Sequence, residues 1–91
     1  MQAMHERMRL DKWLWAARFF KTRSLASEQI DGGKVAVNGT RAKRATGVAP
    51  GDEISFQKGA EPCSVVVLAL SPQRGSAEIA QRLYRETDES A

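Results

Sequence analysis

Arg9, Lys12, Lys21, Arg23, Lys34, Arg41, Lys43 and Arg44 crowd one stretch of this sequence. Ammonium and guanidinium groups at that density attract phosphate, and each phosphate they neutralise releases condensed counterions. From Arg9 to Arg44, nine Lys/Arg stand against three Asp/Glu, while from Ala45 to Ala91 four stand against seven. The whole chain carries only +3, so the signal lies in the placement of charge rather than in its sum. A basic first half is the footprint of a protein that meets a polyanion. A solvated basic face with no partner is the other reading of charge alone.

Catalytic chemistry finds little support. A nucleophile with a nitrogen base would have to use His5, which lies in the opening leader, and a reactive thiol would have to be Cys63, which sits in an apolar run and reads as a small core residue. Asp52-Glu53 follow Pro50-Gly51 and read as turn residues, not as an acid/base pair. Gly32-Gly33 is not followed by the Gly-Lys-Ser/Thr of a phosphate loop. One His and one Cys make no metal-ligand cluster, and no metal or cofactor is expected.

The length of 91 residues suits one domain with a small core. No apolar run approaches the roughly 20 residues of a membrane span, so no membrane partner is expected. The opening MQAMHERM lacks the apolar stretch of a secretory signal. A single cysteine allows no internal disulfide, which fits a reducing, cytoplasmic setting.

The elements that must position the cations follow from periodicity. Leu10, Trp13, Leu14, Ala17 and Phe20 recur at helical spacing, which predicts a helix over 10–20 with Asp11 in its first turn. Its other side bears Lys12, Trp15 and Phe19. The two aromatics either stack on unpaired bases, at about 1–3 kcal/mol per base, or lie beneath a C-terminal helix through Ile79 and Leu83, the reading favoured here. Arg18, seven residues from Asp11, is expected to be neutralised by it. Thr22 caps a second helix over 23–31, with Leu25, Ala26, Gln29 and Ile30 facing one way, and Gly32-Gly33 stop it. Asn38-Gly39 predicts a two-residue type I′ hairpin turn. That register pairs Val37 with Thr40 and Ala36 with Arg41, and it sorts Val35, Val37 and Ala42 from Lys34, Arg41 and Lys43. Strands are expected over 52–57 and 63–70, with a loop over 59–62 between them. Ser76 is expected to cap a final helix carrying Ile79, Ala80, Leu83 and Tyr84, with Glu78–Arg82 and Arg85–Glu89 pairs at spacing four. The ends, 1–8 and 87–91, are expected to fray.

The stretch RLDKWLWAARFFKTRSLASEQIDGGKVAVNGTRAK resembles the RNA-binding domain named after ribosomal small-subunit protein S-four. The residues that carry the resemblance are Arg9-Leu10-Asp11, Thr22-Arg23, Gly33, Val35-Ala36-Val37-Asn38-Gly39 and Gly51-Asp52-Glu53-Ile54, in that order. Gln29 departs from it, standing where that family usually has an apolar residue. Within the family, RLDKWLWAARFFKTRSLA and the tail RGSAEIAQRLYRETDES are similar to a branch of small ribosome-associated heat-shock proteins. Members of that branch often continue into a long basic tail, which this sequence lacks.

The resemblance implies an α+β fold, two helices packed on a small, mostly antiparallel sheet, with a C-terminal helix. It divides the chain into a flexible leader (1–8), the RNA-binding domain (9–70) and a helical extension (71–91). It implies non-catalytic binding of ribosomal RNA on the large ribosomal subunit, with peptidyl-tRNA as a further partner, in the recycling of stalled subunits. Lys21, Arg23, Lys34, Arg41 and Lys43 are the expected phosphate holders, supported by Arg9, Lys12 and Arg44. Thr22 and Asn38 are expected to belong to the same RNA-binding set, Asn38 and Gly39 also shape the turn, and Asp11 orients Arg23 or caps the helix. The alternatives are an accessory factor for tail addition to nascent chains on obstructed large subunits, an appendage of the kind found on RNA-modifying enzymes, and a general nucleic-acid binder that also takes DNA.

Overall fold

Leu10, Trp13 and Leu14 are fully buried on one side of a short helix, and the rest of the structure is built against them. The computed structural model describes residues 6–58 and 60–87. In chain order its elements are β1 (Met8–Arg9), α1 (Leu10–Ala16), α2 (Arg23–Asp31), β2 (Ala36–Val37), β3 (Thr40–Arg41), β4 (Gly47–Val48), β5 (Glu53–Lys58), β6 (Glu61–Val67), α3 (Ala77–Gln81) and β7 (Tyr84–Glu86). The fold is α+β. Five antiparallel strands lie in the order β3-β2-β5-β6-β7, and β1 and β4 make a separate two-stranded ribbon. Ile54 and Phe56 of β5 and Cys63, Val65 and Val67 of β6 alternate into the core against α1 and α2.

The first helix ends at Ala16, not at Phe20 as its periodicity suggests. Arg18 takes φ 66°, its N–H bonds to the Trp15 carbonyl at 3.0 Å, and the Phe19 N–H reaches back to Leu14 at 3.1 Å. These two bonds form a Schellman motif. The reversal turns Phe19 onto the core, with ring centroids 4.8 Å from Phe56 and 4.5 Å from Tyr84. Phe19 is therefore covered from the sheet, not by Ile79, which is 50% exposed. Trp15 is half-buried against the same core. Arg18 is not neutralised by Asp11; its guanidinium donates to the Gly75 carbonyl at 2.7 Å.

The second helix follows its sequence signals. The Thr22 hydroxyl accepts from the Leu25 N–H at 3.0 Å. The C-terminus closes with bonds from Gly33 to Ile30 and from Lys34 to Gln29, a second Schellman motif in which Gly33 holds φ 78°. Ala26 and Ile30 are buried, but Leu25 is 43% exposed and does not share their face. In the hairpin, Asn38 and Gly39 take φ 53° and 84°, and Ala36 pairs with Arg41 and Val37 with Thr40. Asn38 also ties the turn to β5, accepting from the Glu53 N–H at 2.9 Å and donating to Asp52 at 3.2 Å.

Three expectations change. Met8, placed in the flexible leader, pairs with Val48, and Leu10 donates to Thr46 at 2.8 Å; residues 1–5, with His5, lie outside the described residues. Strand β6 spans Glu61–Val67 rather than 63–70, because Lys58 pairs with Glu61 and the N–H groups of Leu68 and Ala69 turn to the Leu83 carbonyl. The final helix keeps its Ser76 cap but stops at Gln81. Tyr84–Glu86 instead pairs with Val65–Val67 as a sheet strand, since only there does Tyr84 reach Phe19 while Leu83 stays buried. Arg85 lies in that strand, and Glu89, its suggested helical partner, lies outside the described residues. Among the described residues no helix is long and apolar enough to cross a membrane.

Candidate nucleic-acid interface

Asp11 lies in the first turn of α1 and is only 3% exposed, yet it is ionised. Its carboxylate accepts from Arg9 Nε at 3.3 Å and Nη2 at 3.1 Å, and from the Ser27 hydroxyl at 3.1 Å. Arg23 Nη2 lies 3.5 Å from its other oxygen. Burial pushes the acid upward, but the Arg9 and Ser27 hydrogen bonds and the two guanidinium charges outweigh it. The carboxyl is held below its ordinary value. Asp11 thus joins the start of α1 to α2 (through Ser27) and fixes two arginines that have no helix in common.

A second carboxylate repeats this arrangement at the other end of α2. Asp31 takes Arg44 in a two-pronged pair through Nε and Nη2, and its backbone carbonyl accepts from Arg41 at 3.5 Å. Arg9 and Arg44 both offer their Nε/Nη2 edge to a carboxylate, which leaves the Nη1 donors for a ligand. Between them runs a groove of about 510 Å³ whose walls include Arg9, Arg23 and Arg44. The α2 side of the groove carries Ser24, Ser27, Glu28 and Asp31.

Of the residues expected from sequence, Arg9, Arg23 and Arg44 meet in this groove. Arg41 and Lys43 share a neighbouring hollow with Asp31. Arg41 also borders a shallow depression with Lys34 on the sheet side; there its guanidinium lies across Gly33, where an added Cβ would come within 3.0 Å of it. Lys21 is exposed beside the α2 cap. Lys12 stands apart from the expected continuous surface: it is half-buried in a separate hollow with Arg7, Met8 and Leu70. Thr22 and Asn38 are spent on backbone hydrogen bonds, as their residue types suggest. Asp11 orients Arg23, as expected. The groove residues that the sequence reading passed over are Ser24, Ser27, Glu28 and Asp31. Their 24-27-28-31 spacing marks one helical face, but no feature of composition says that this face lies opposite three arginines. Among the described residues no cluster of His, Cys, Asp and Glu could hold a metal ion.

The model of the S4 domain family matches residues 8–54, which contain every groove residue. Over 83 residues the chain is 55% identical to the heat shock protein 15 homolog of Aeromonas salmonicida, covering 91% of this chain and 63% of that protein. Its identity to heat shock protein 15 of Escherichia coli is 49% over 83 residues, covering 62% of that protein. The chain thus spans less than two thirds of the length of these relatives. It is 40% identical over 73 residues to the RQC P-site tRNA stabilizing factor of Bacillus subtilis, covering 80% of this chain and 85% of that protein. Among solved structures, heat shock protein 15 of Vibrio cholerae, a trimer, superposes with a TM-score of 0.89 at 50% identity, covering 93% of this chain and 86% of that one. With its helix pair, hairpin and motif order in place, the chain belongs to the S4 domain family.

Proposed function

We propose that this chain is a non-catalytic RNA-binding protein that holds structured ribosomal RNA of the large subunit in the groove between Arg9, Arg23 and Arg44. The observation that carries this reading is the fixing of these arginines by Asp11 and Asp31. A guanidinium held by a carboxylate on one edge meets a phosphate with less rotamer freedom left to lose, and its planar fork matches phosphate oxygens. Arg41, Lys43, Lys34 and Lys21 extend the cationic surface around the hairpin and the α2 cap, where they add salt-dependent attraction. Such contacts position RNA by its backbone and shape, not by base sequence.

The heat shock protein 15 relatives support the further reading of a factor that recycles stalled large subunits still carrying a nascent chain on tRNA. The similarity to proteins named RQC P-site tRNA stabilizing factor supports peptidyl-tRNA as a partner. It also favours the second reading, an accessory role in tail addition on obstructed subunits. Both readings use the same groove.

The test is binding to purified large subunits, small subunits and duplex DNA across a salt series. Tight binding confined to the large subunit is expected, with a log–log slope of about 0.7–0.9 per phosphate neutralised. Replacing Arg41 and Lys43 together by Ala is expected to weaken that binding and flatten the slope by about one to two contacts. Equal, weak binding to both subunits and to DNA refutes the proposal.

A further inference from the structure

The face that α2 turns into the groove is made of hydroxyls and carboxylates, not cations. Ser24, Ser27, Glu28 and Asp31 stand at the i, i+3, i+4, i+7 positions of one helical stripe, and all the groove's cations enter from its ends. Asp31 is engaged by Arg44, and Ser27 by Asp11. Glu28 is different. It is exposed in the groove and makes no ion pair or side-chain hydrogen bond to another described residue. Ser24, one turn before it, is equally unengaged. A carboxylate left bare among three arginines weakens the attraction for any phosphate chain, so a groove serving only to gather phosphate gains nothing from it.

Resting on the RNA reading above, we propose that Glu28, with Ser24 beside it, accepts the 2′-hydroxyl of a ribose and makes the groove select RNA over DNA. Along a sugar–phosphate backbone, phosphate oxygens only accept hydrogen bonds, and the 2′-hydroxyl is the donor that RNA has and DNA lacks. The position fits that role. Eight residues at 1.5 Å rise put Arg23 and Asp31 about 12 Å apart along α2. Glu28 therefore faces the stretch between the two arginine-bearing ends rather than a phosphate held at either. Against RNA the carboxylate gains a charge-assisted hydrogen bond. Against DNA it meets the backbone with no donor and repels it, so the same group rewards one polymer and penalises the other.

The experiment compares three probes: a large-subunit RNA transcript, the same transcript fully substituted with 2′-fluoro nucleotides (which removes the donor and keeps the A-form shape), and duplex DNA. The unaltered chain is expected to prefer the hydroxyl transcript to the fluoro transcript by about 10-fold or more, the worth of one hydrogen bond to a charged group. Glu28→Ala is expected to bind DNA and fluoro RNA more tightly and to shrink that preference below about 3-fold. Glu28 is exposed and Ala favours helix, so the variant keeps the fold; its circular dichroism melt checks this. No preference in the unaltered chain, or an equal gain by Glu28→Ala on all three probes, overturns the inference and makes Glu28 an ordinary surface charge. Arg23→Ala, run in parallel, separates the two levels. If it weakens the hydroxyl transcript while Glu28→Ala leaves the preference intact, only the selectivity assignment falls. If Arg23→Ala changes nothing, the groove itself is not the RNA site and both fall.

Discussion

Replacing Asp11 by Asn leaves the volume of the side chain and removes the charge on which Arg9, Arg23 and Ser27 converge. One carboxylate oxygen becomes an NH₂ group, which faces guanidinium donors with nothing to accept. Breaking a buried ion pair by removing one partner costs about 3–5 kcal/mol when the other charge is left buried. Here the side chains of Arg9 and Arg23 are 48% and 44% exposed, so water recovers part of their loss. The Ser27 bond and the desolvated amide are not recovered in that way. The expected cost is about 2–3 kcal/mol at pH 7, a fall of roughly 10–20 °C in Tm for a domain of this size. The acid dependence gives an independent check. Asp11 has a folded pKa below its ordinary value, so its contribution is present in full above the unfolded pKa of about 3.9 and is lost as pH falls below that through the folded pKa. The gap between native chain and variant is therefore expected to be constant from about pH 7 to 5 and to close as pH falls below about 4. Thermal melts by circular dichroism over that series measure both quantities. A variant that melts within about 2 °C of the native chain at pH 7 refutes the reasoning, as does a gap that persists undiminished in acid.

Gly33→Ala is expected to cost about 1–2 kcal/mol from the left-handed backbone alone. It should also loosen RNA, because its Cβ would press on the Arg41 guanidinium; urea midpoints and subunit binding read the two effects. Thr22→Ala removes the cap on Leu25 and should cost about 1 kcal/mol in urea unfolding, with Thr22→Ser restoring most of it. Trp13→Phe keeps a buried ring but leaves the Ala69 carbonyl, which accepts the indole N–H at 3.0 Å, without its donor. A loss of about 2–3 kcal/mol is expected, and a melt unchanged from the native chain would show that the bond contributes nothing.

Legibility from sequence was greatest where a local signal had a local cause. Thr22, Gly33 and Asn38-Gly39 each specify a backbone conformation within four residues, and α2 and the hairpin took the form expected of them. The end of α1 was hidden because its Schellman turn rests on Arg18, a residue type that gives no sign of a positive φ, while the apolar period runs on through Phe20. Strand β7 was hidden for the opposite reason. Leu83 and Tyr84 fit a helical stripe, and only contacts with residues far earlier in the chain, Phe19 above all, draw them into the sheet. Of the interface, the cations were visible one by one, but their grouping was not. Arg9, Arg23 and Arg44 meet because Asp11 on α1 holds the first two and Asp31 at the end of α2 holds the third, and Lys12 falls outside because α1 turns it toward Arg7 and Leu70. Glu28 carries no local mark at all; its significance comes from what stands across the groove.

Trp13, Arg18 and Arg74 bind partners 56 to 59 residues away along the chain, at Ala69, Gly75 and Trp15. The S4 domain match closes at residue 54, inside β5, so the segment that is matched is smaller than the segment that can fold. Cut there, Ile54 loses its β6 partner and the Trp13 indole has no acceptor. During synthesis, both helices emerge well before the strands that complete their core, and closing so long a loop is the slow, entropically costly step of folding. At roughly 5–20 residues per second, several seconds separate the appearance of Arg9 from that of Tyr84. Through that interval the arginines are present and the groove is not, so on the proposed reading RNA binding waits until the sheet has closed behind them.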